Sequence, residues 1–318
     1  AFVVLNVLFA IFLMNFDYKA LQNYGKNLYI FNAIMLLLVM IIGQTALGAQ
    51  RWIQLGPITL QPSEFSKIIM IIALAAMLED RVGKLNTVSD ILPVVGYVAL
   101  PFFLVLKQPD LGTSLVFIAI LLGMMFVAGV NLRILAAGFA AGIAASPLLW
   151  LFLKDYQKMR LKVFLDPSVD PLGSGYHIIQ SKIAIGSGLL LGKGLFGGTQ
   201  SQLNFLPENH TDFIFAVVGE ELGFVGAAAL LLLYLVVLWR GVKIARDASD
   251  TFGRLLAVGI TSMLAFHVLV NVGMTTGIMP VTGIPLPLMS YGVSSLTTNL
   301  IAITILLNIH MRKAKFVF

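Results

Sequence analysis

The stretch FLPENHTDFIFAVVGEELG (205–223) places Glu208, Asn209, His210, Thr211 and Asp212 at the lip of an apolar run, then adds Glu220 and Glu221 inside it. Ionisable groups beside a hydrocarbon layer are costly and mark functional sites by default. A carboxylate in such a polar mouth suits proton abstraction, provided other groups position the reacting hydroxyl. Thr211 and Asp212 open the apolar helix in this reading, so capping alone is a competing explanation for the aspartate. A single cap does not require the Glu-Asn-His cluster before it. Glu220 lies about 12 Å further along a helix and about 80° round from Asp212, and Glu221 about 180° round. Neither reaches Asp212, which excludes a two-carboxylate site built within this helix. Gly219 and Gly223 bracket the glutamates in a run long for one straight span, so a tilt or break is expected there.

Four other sets carry charge near apolar segments. Glu64 and Lys67, in QPSEFSKII, stand three apart on one helical face behind Pro62. They form either an internal salt bridge or the wall of a cavity offering a cation. Asp110, in KQPDLGTS, is a helix cap or a polar site residue. Arg51, beside Trp52, is an interfacial anchor or a phosphate ligand. The glycine-dense GKGLFGGTQSQ (192–202) holds Lys193, and amides in such loops cradle phosphate oxygens or simply end helices. His177, His210, His267 and His310 show no metal-ligand spacing.

The elements that must position these residues are membrane helices. Of 318 residues 58% are hydrophobic and 11% charged, against about 25% charged in soluble domains. Runs near 1–16, 28–47, 63–79, 91–106, 112–130, 132–153, 211–240, 254–275 and 293–311 predict nine spans. The fold class is all-α, a polytopic helical integral membrane protein with one membrane domain over 1–318. The abrupt start at Ala1 reads as the back half of a span, so a preceding helix is expected. There is no cysteine and no basic-aromatic nucleic-acid surface.

Alternating the spans puts Lys19, Lys26, Arg81, Lys84, Arg133, Arg240, Lys243, Arg246, Arg254, Arg312, Lys313 and Lys315 on one face. The short loops of the other face hold only Arg51 and Lys107. That bias makes the basic face cytoplasmic. A long extracytoplasmic connection, 154–206, contains the amphipathic YHIIQSKIAIGSGLLLG (176–192), which suits a helix in the interface. The uncharged GIMPVTGIPLPLMSYGVSS (277–295) carries three prolines and three glycines. It is a turn, or non-helical backbone lining a cavity.

The motifs GYHIIQSKIAIGSGLLLGKGLFGGTQSQLNFLPENHTDFIFAVVGEELGFVG, RWIQLGPITLQPSEFSK, KQPDLGTS and PVTGIPLPLMSYGVSS together resemble the SEDS family (shape, elongation, division and sporulation) in order over nearly the whole chain. The DPLGSGYHIIQSKIAIGSG and GIPLPLMSYG runs are more similar to its rod-shape branch than to its division branch. Val293 stands where the family usually has a second glycine, and nine spans are visible of the family's ten. The resemblance implies a peptidoglycan glycosyltransferase that polymerises lipid II, the undecaprenyl-pyrophosphate-linked disaccharide-peptide, on the extracytoplasmic side. It further implies a class B penicillin-binding protein as crosslinking partner.

The family's H-T-D-F aspartate, its catalytic residue, falls on Asp212. Glu64 and Lys67 match its P-S-E-x-x-K pair, Asp110 its P-D-L-G aspartate, and Arg51 the arginine before its tryptophan. Lys193, Gln200, Glu208, His210 and Ser290 lie in the matched motifs and are expected to bind substrate. Asp212 is expected to take the proton of the acceptor hydroxyl as undecaprenyl pyrophosphate leaves. Lys67, Arg51, Lys193 or a divalent cation (Mg or Mn) would stabilise the departing diphosphate. The rival readings are a lipid II flippase, which polytopic architecture and buried charge also suit, and a non-catalytic scaffold.

Overall fold

The computed structural model describes residues 2–313 apart from 47, 48, 57, 172 and 204, so Lys315 lies outside the described residues. The described chain is dominated by helices: α1 (Phe2–Met14), α2 (Ala20–Asn23), α3 (Gly25–Ile42), α4 (Pro62–Glu79), α5 (Val88–Lys107), α6 (Leu111–Val127) and α7 (Leu132–Phe152). Then come α8 (Asp155–Leu165), α9 (Ser174–Ser187), α10 (Thr199–Gln202), α11 (Ile214–Asp247), α12 (Thr251–Thr276) and α13 (Val293–Met311). Each of the nine expected spans corresponds to one helix: α1, α3, α4, α5, α6, α7, α11, α12 and α13. This is a multi-pass membrane protein. Five helices (α3, α5, α11, α12 and α13) are long and apolar enough to cross a membrane on composition alone. The eighteen residues of α4 include Glu64, Lys67 and Glu79, a charge load that masks an otherwise apolar helix.

Two compact units divide the chain: residues 1–135, 238–266 and 292–318 form the first, and 136–237 with 267–291 the second. In the first unit, α4 packs against α2, α3, α5, α6 and α13. Ile68, Met70, Ile71, Ala73, Leu74, Ala75 and Leu78 on it are all buried. A helix apolar on every side belongs at the centre of its bundle. The connection from α3 to α4 is a small antiparallel sheet rather than the tail of a span. Strands β1 (Gln44–Ala46), β2 (Ala49–Leu55) and β3 (Ile58–Leu60) pair in that order, with Gln44 opposite Trp52 and Ile53 opposite Leu60. The expected helix over 28–47 therefore ends at Ile42, where Gly43 turns extended.

In the second unit, α8, a short 3-10 turn (Pro167–Val169), α9 and α10 make up the long connection. The amphipathic segment forms α9 as expected; α8 was not foreseen. Helix α11 starts at Ile214, so Thr211 and Asp212 lie in the turn before it rather than in its first turn. The expected break is present: Gly223 leaves helical geometry at φ 64°, ψ −164°, a conformation open to glycine and few other residues. Two apolar clusters hold the unit. One joins Ala184, Leu206, Phe213 and Ala216, and the other joins Phe215, Val268 and Leu286.

Candidate active site

Asp212 sits in a turn clamped from three sides within the second unit. The Asn271 side-chain amide on α12, wholly buried, donates to the Asp212 carbonyl at 2.9 Å and to the Ile284 carbonyl at 2.8 Å. The Ser290 hydroxyl donates to the Thr211 carbonyl at 2.6 Å and accepts from the Leu286 N–H at 2.8 Å. The Tyr291 N–H donates to the His210 carbonyl at 2.8 Å. The proline- and glycine-rich segment is therefore no simple turn: it wraps the aspartate segment and satisfies the carbonyls that precede α11.

The Asp212 carboxylate is half-buried and lies against Gly283, where an added Cβ would stand 3.2 Å from Oδ2. Gly283 has φ 74°, so both its conformation and the closeness of the carboxylate select glycine. Glu208 and His210 are exposed beside it. Glu208 adopts φ 52° and accepts from the Thr211 hydroxyl at 2.7 Å. His210 Nδ1 bonds Asn209 Oδ1 at 2.8 Å, and its ring meets Tyr291 edge-on at 5.9 Å. His177 on α9 stacks on Phe213 at 5.8 Å between ring centroids. Burial holds its imidazole below the ordinary range, while Glu208 and Asp170 pull the other way. A neutral, stacked ring thus walls the residue next to Asp212.

The glutamates and the glycine-dense loop answer each other. Glu220 is wholly buried, and its carboxylate accepts from Lys193 Nζ at 2.9 Å, from the Gln200 N–H at 2.9 Å and from the Ser201 N–H at 3.0 Å. The Lys193 and Gly194 amides donate to the Glu220 and Glu221 carbonyls, both at 3.0 Å. The loop amides do cradle an anion, and here that anion is a side chain of the same protein. At the helix break, the Phe224 and Val225 amides donate to the Leu189 and Leu190 carbonyls. Gln200 and Lys193 are thus brought to α11.

The remaining expected site residues form a polar centre within the first unit. Asp110 is buried: Oδ1 caps α6 through the Thr113 N–H at 3.1 Å, and Oδ2 accepts from Gln61 at 3.0 Å and Ser63 at 3.2 Å. Arg51, on β2, lies 3.8 Å from Asp110. Capping and ion pairing therefore coexist at this residue. Glu64 and Lys67 pair at 2.8 Å with both side chains buried. The residues that sequence reasoning missed are Asn271 and Gly283. An asparagine inside the apolar run AFHVLVNVGM was the available signal, since polar groups at that depth are rarely idle.

A family profile covering FtsW, RodA and SpoVE, described as cell cycle protein, matches residues 1–315. Over 296 residues the chain is 45% identical to the peptidoglycan glycosyltransferase MrdB of Escherichia coli K12, spanning 93% of this chain and 80% of that one. A solved chain from work on the structural coordination of polymerization and crosslinking by a peptidoglycan synthase complex is similar at TM-score 0.85. That chain is 36% identical, with 99% of this chain and 88% of that one covered. The crystal structure of the rod shape determining protein RodA of Thermus thermophilus gives TM-score 0.73 at 32% identity, covering 99% and 86%. By sequence over its length and by fold, the chain belongs to the FtsW/RodA/SpoVE family of cell cycle proteins.

Proposed function

We propose that the protein is a peptidoglycan glycosyltransferase that polymerises lipid II at the extracytoplasmic face of the bacterial cytoplasmic membrane, with Asp212 as general base. The observation that carries this is the mounting of Asp212: a half-buried carboxylate against Gly283, at an exposed rim of Glu208 and His210, on backbone fixed by Asn271 and Ser290. Relatives named as peptidoglycan glycosyltransferases support it. In the step, an acceptor sugar hydroxyl gives its proton to an Asp212 oxygen while its own oxygen bonds the anomeric carbon of the donor. The bond from that carbon to the diphosphate breaks, and its electron pair leaves on undecaprenyl pyrophosphate. A single displacement inverts the anomeric centre. A fixed base needs little rearrangement to meet the hydroxyl, and that pre-placement is a large part of such catalysis.

Glu208, His210 and Ser290 are assigned to substrate at the Asp212 rim, Ser290 by holding the Thr211 carbonyl. Lys193 and Gln200 are assigned to shaping the loop on Glu220. Glu64, Lys67, Arg51 and Asp110 are proposed as a second substrate-binding centre in their own unit. Among the described residues no group of three or more His, Asp or Glu comes together as a metal cage. A Mg or Mn ion, if used, would fit as a companion of the substrate phosphates held by one or two carboxylates, neutralising charge on the leaving diphosphate. The proposed crosslinking partner is a class B penicillin-binding protein.

Purified full-length chain supplied with lipid II should make glycan strands, and Asp212→Asn should lose at least ~100-fold in rate while remaining folded by melting. Strand synthesis by Asp212→Asn at wild-type rate removes the base assignment. Lipid translocation without polymerisation by the wild type removes the enzyme reading in favour of a flippase. A chelator arm tests the cation.

A further inference from the structure

A second polar feature lies in the first unit, among residues the proposed reaction does not use. Helices α6, α11 and α12 border a half-open cavity of about 440 Å³ whose walls include Phe126 and Val127, Val242 and Ala245, and Val258. Two close helix crossings frame it. A Cβ at Gly123 would meet Ser262 Oγ at 2.0 Å, and one at Gly241 would meet Thr261 Oγ1 at 2.3 Å. The helices thus touch at these glycines and leave the space beside them unfilled. Thr261 and Ser262 also line it, the Thr261 hydroxyl donating to the Ala257 carbonyl of its own helix; the rest of the lining is apolar except at one end, where Arg246 closes α11 and Arg254 opens α12.

Arg254 has no recorded ion pair among the described residues. Arg246, mostly exposed, lies 3.6 Å from Asp247, a carboxylate also paired with Lys313 at 2.9 Å. The neighbouring cations face elsewhere: Arg240 and Lys243 sit 5.6 and 5.8 Å from the Trp239 ring. Along α12 the order Arg254, Val258, Thr261, Ser262 runs from charge through an apolar wall to small uncharged residues on one stripe. Along α11 the pair Arg246 and Val242 repeats it. An amphipathic ligand with an anionic head and a hydrocarbon tail matches this layout. A soluble anion would leave the apolar depth empty. Both arginines lie on the membrane face that carries the basic loops, where basic pockets between helices take anionic head groups.

We propose that this cavity binds one anionic phospholipid of the leaflet bordering that face. Its phosphate lies between Arg246 and Arg254, and an acyl chain runs against Phe126, Val242 and Val258. Guanidinium groups match phosphate oxygens in pairs, which favours arginine here over lysine.

Melting of the detergent-purified full chain, titrated with phosphatidylglycerol, phosphatidylcholine or inorganic phosphate, tests this. Phosphatidylglycerol should raise the melting temperature, and the other two should not. Arg246→Ala with Arg254→Ala should weaken that response roughly 30-fold. Val258→Trp, or Ala245→Leu from the opposite wall, keeps both arginines but fills the cavity and should also abolish it. Arg240→Ala with Lys243→Ala removes the same charge away from the cavity and should retain it. Equal stabilisation by phosphatidylcholine or by phosphate overturns the site, as does equal weakening by the Arg240/Lys243 pair. So does a phosphatidylglycerol response that survives either cavity-filling change, since it would place the lipid, or a second copy or partner helix, elsewhere.

Discussion

The carboxylate of Glu220 and the ammonium of Lys193, 27 positions apart in sequence, meet at 2.9 Å, with the carboxylate wholly buried and the lysine partly exposed. That asymmetry sets which loss is worse. Without Glu220, the Gln200 and Ser201 amides lose their acceptor, and buried unpaired donors cost about 1–3 kcal/mol each. Without Lys193, those amides and Thr199 still hold the anion. Glu220→Ala should therefore destabilise by about 2–4 kcal/mol and Lys193→Ala by less, as read from melting in detergent. The reverse order would show that the ion pair, not the amide cradle, holds the loop.

Gly283 tests the mounting of Asp212. Gly283→Ala strains a positive-φ residue, at about 1 kcal/mol, and presses on the carboxylate. We expect a small loss of melting temperature and a disproportionate loss of rate, about tenfold or more, because small misplacements of a catalytic group are expensive. Wild-type turnover in Gly283→Ala would mean that the carboxylate tolerates displacement and is not the base.

The Glu64–Lys67 pair separates a structural role from a binding role. Lys67→Met alone strands a buried carboxylate and should cost about 3–5 kcal/mol; Glu64→Leu with Lys67→Met should recover most of it. If the double variant is stable yet fails to bind lipid II, the pair serves substrate. Full binding and activity in that variant leave it only a means of burying α4.

His177 gives a pH prediction. Burial holds its folded-state imidazole below the ordinary value of 6.5. The unfolded chain therefore takes up the proton first as pH falls. Stability from this residue is complete above 6.5 and declines as acidity passes from there through the depressed folded value. His177→Phe should flatten that acid limb of a melting-against-pH curve. An unchanged limb would assign it to other groups.

Much of this was legible because hydrophobic run length and charged interruptions are local signals. The nine helices, α9 and the break near Glu220 all follow from them. The β1–β3 sheet was hidden because its strands are short and the apolar start of the segment runs on from α3, so the expected span extends to 47 and the rest reads as a loop. The partners of Glu220 were hidden for a different reason. A glycine-rich loop with one lysine looks alike whether its amides face a ligand or an internal carboxylate, and only the folded chain decides. Asn271 escaped because its meaning lies in two carbonyls distant in sequence.

Those two carbonyls have a wider implication. One amide group tethers the acidic residue and the loop segment facing it to the same turn of α12, so a displacement of that helix would carry base and wall together as a single rigid jaw.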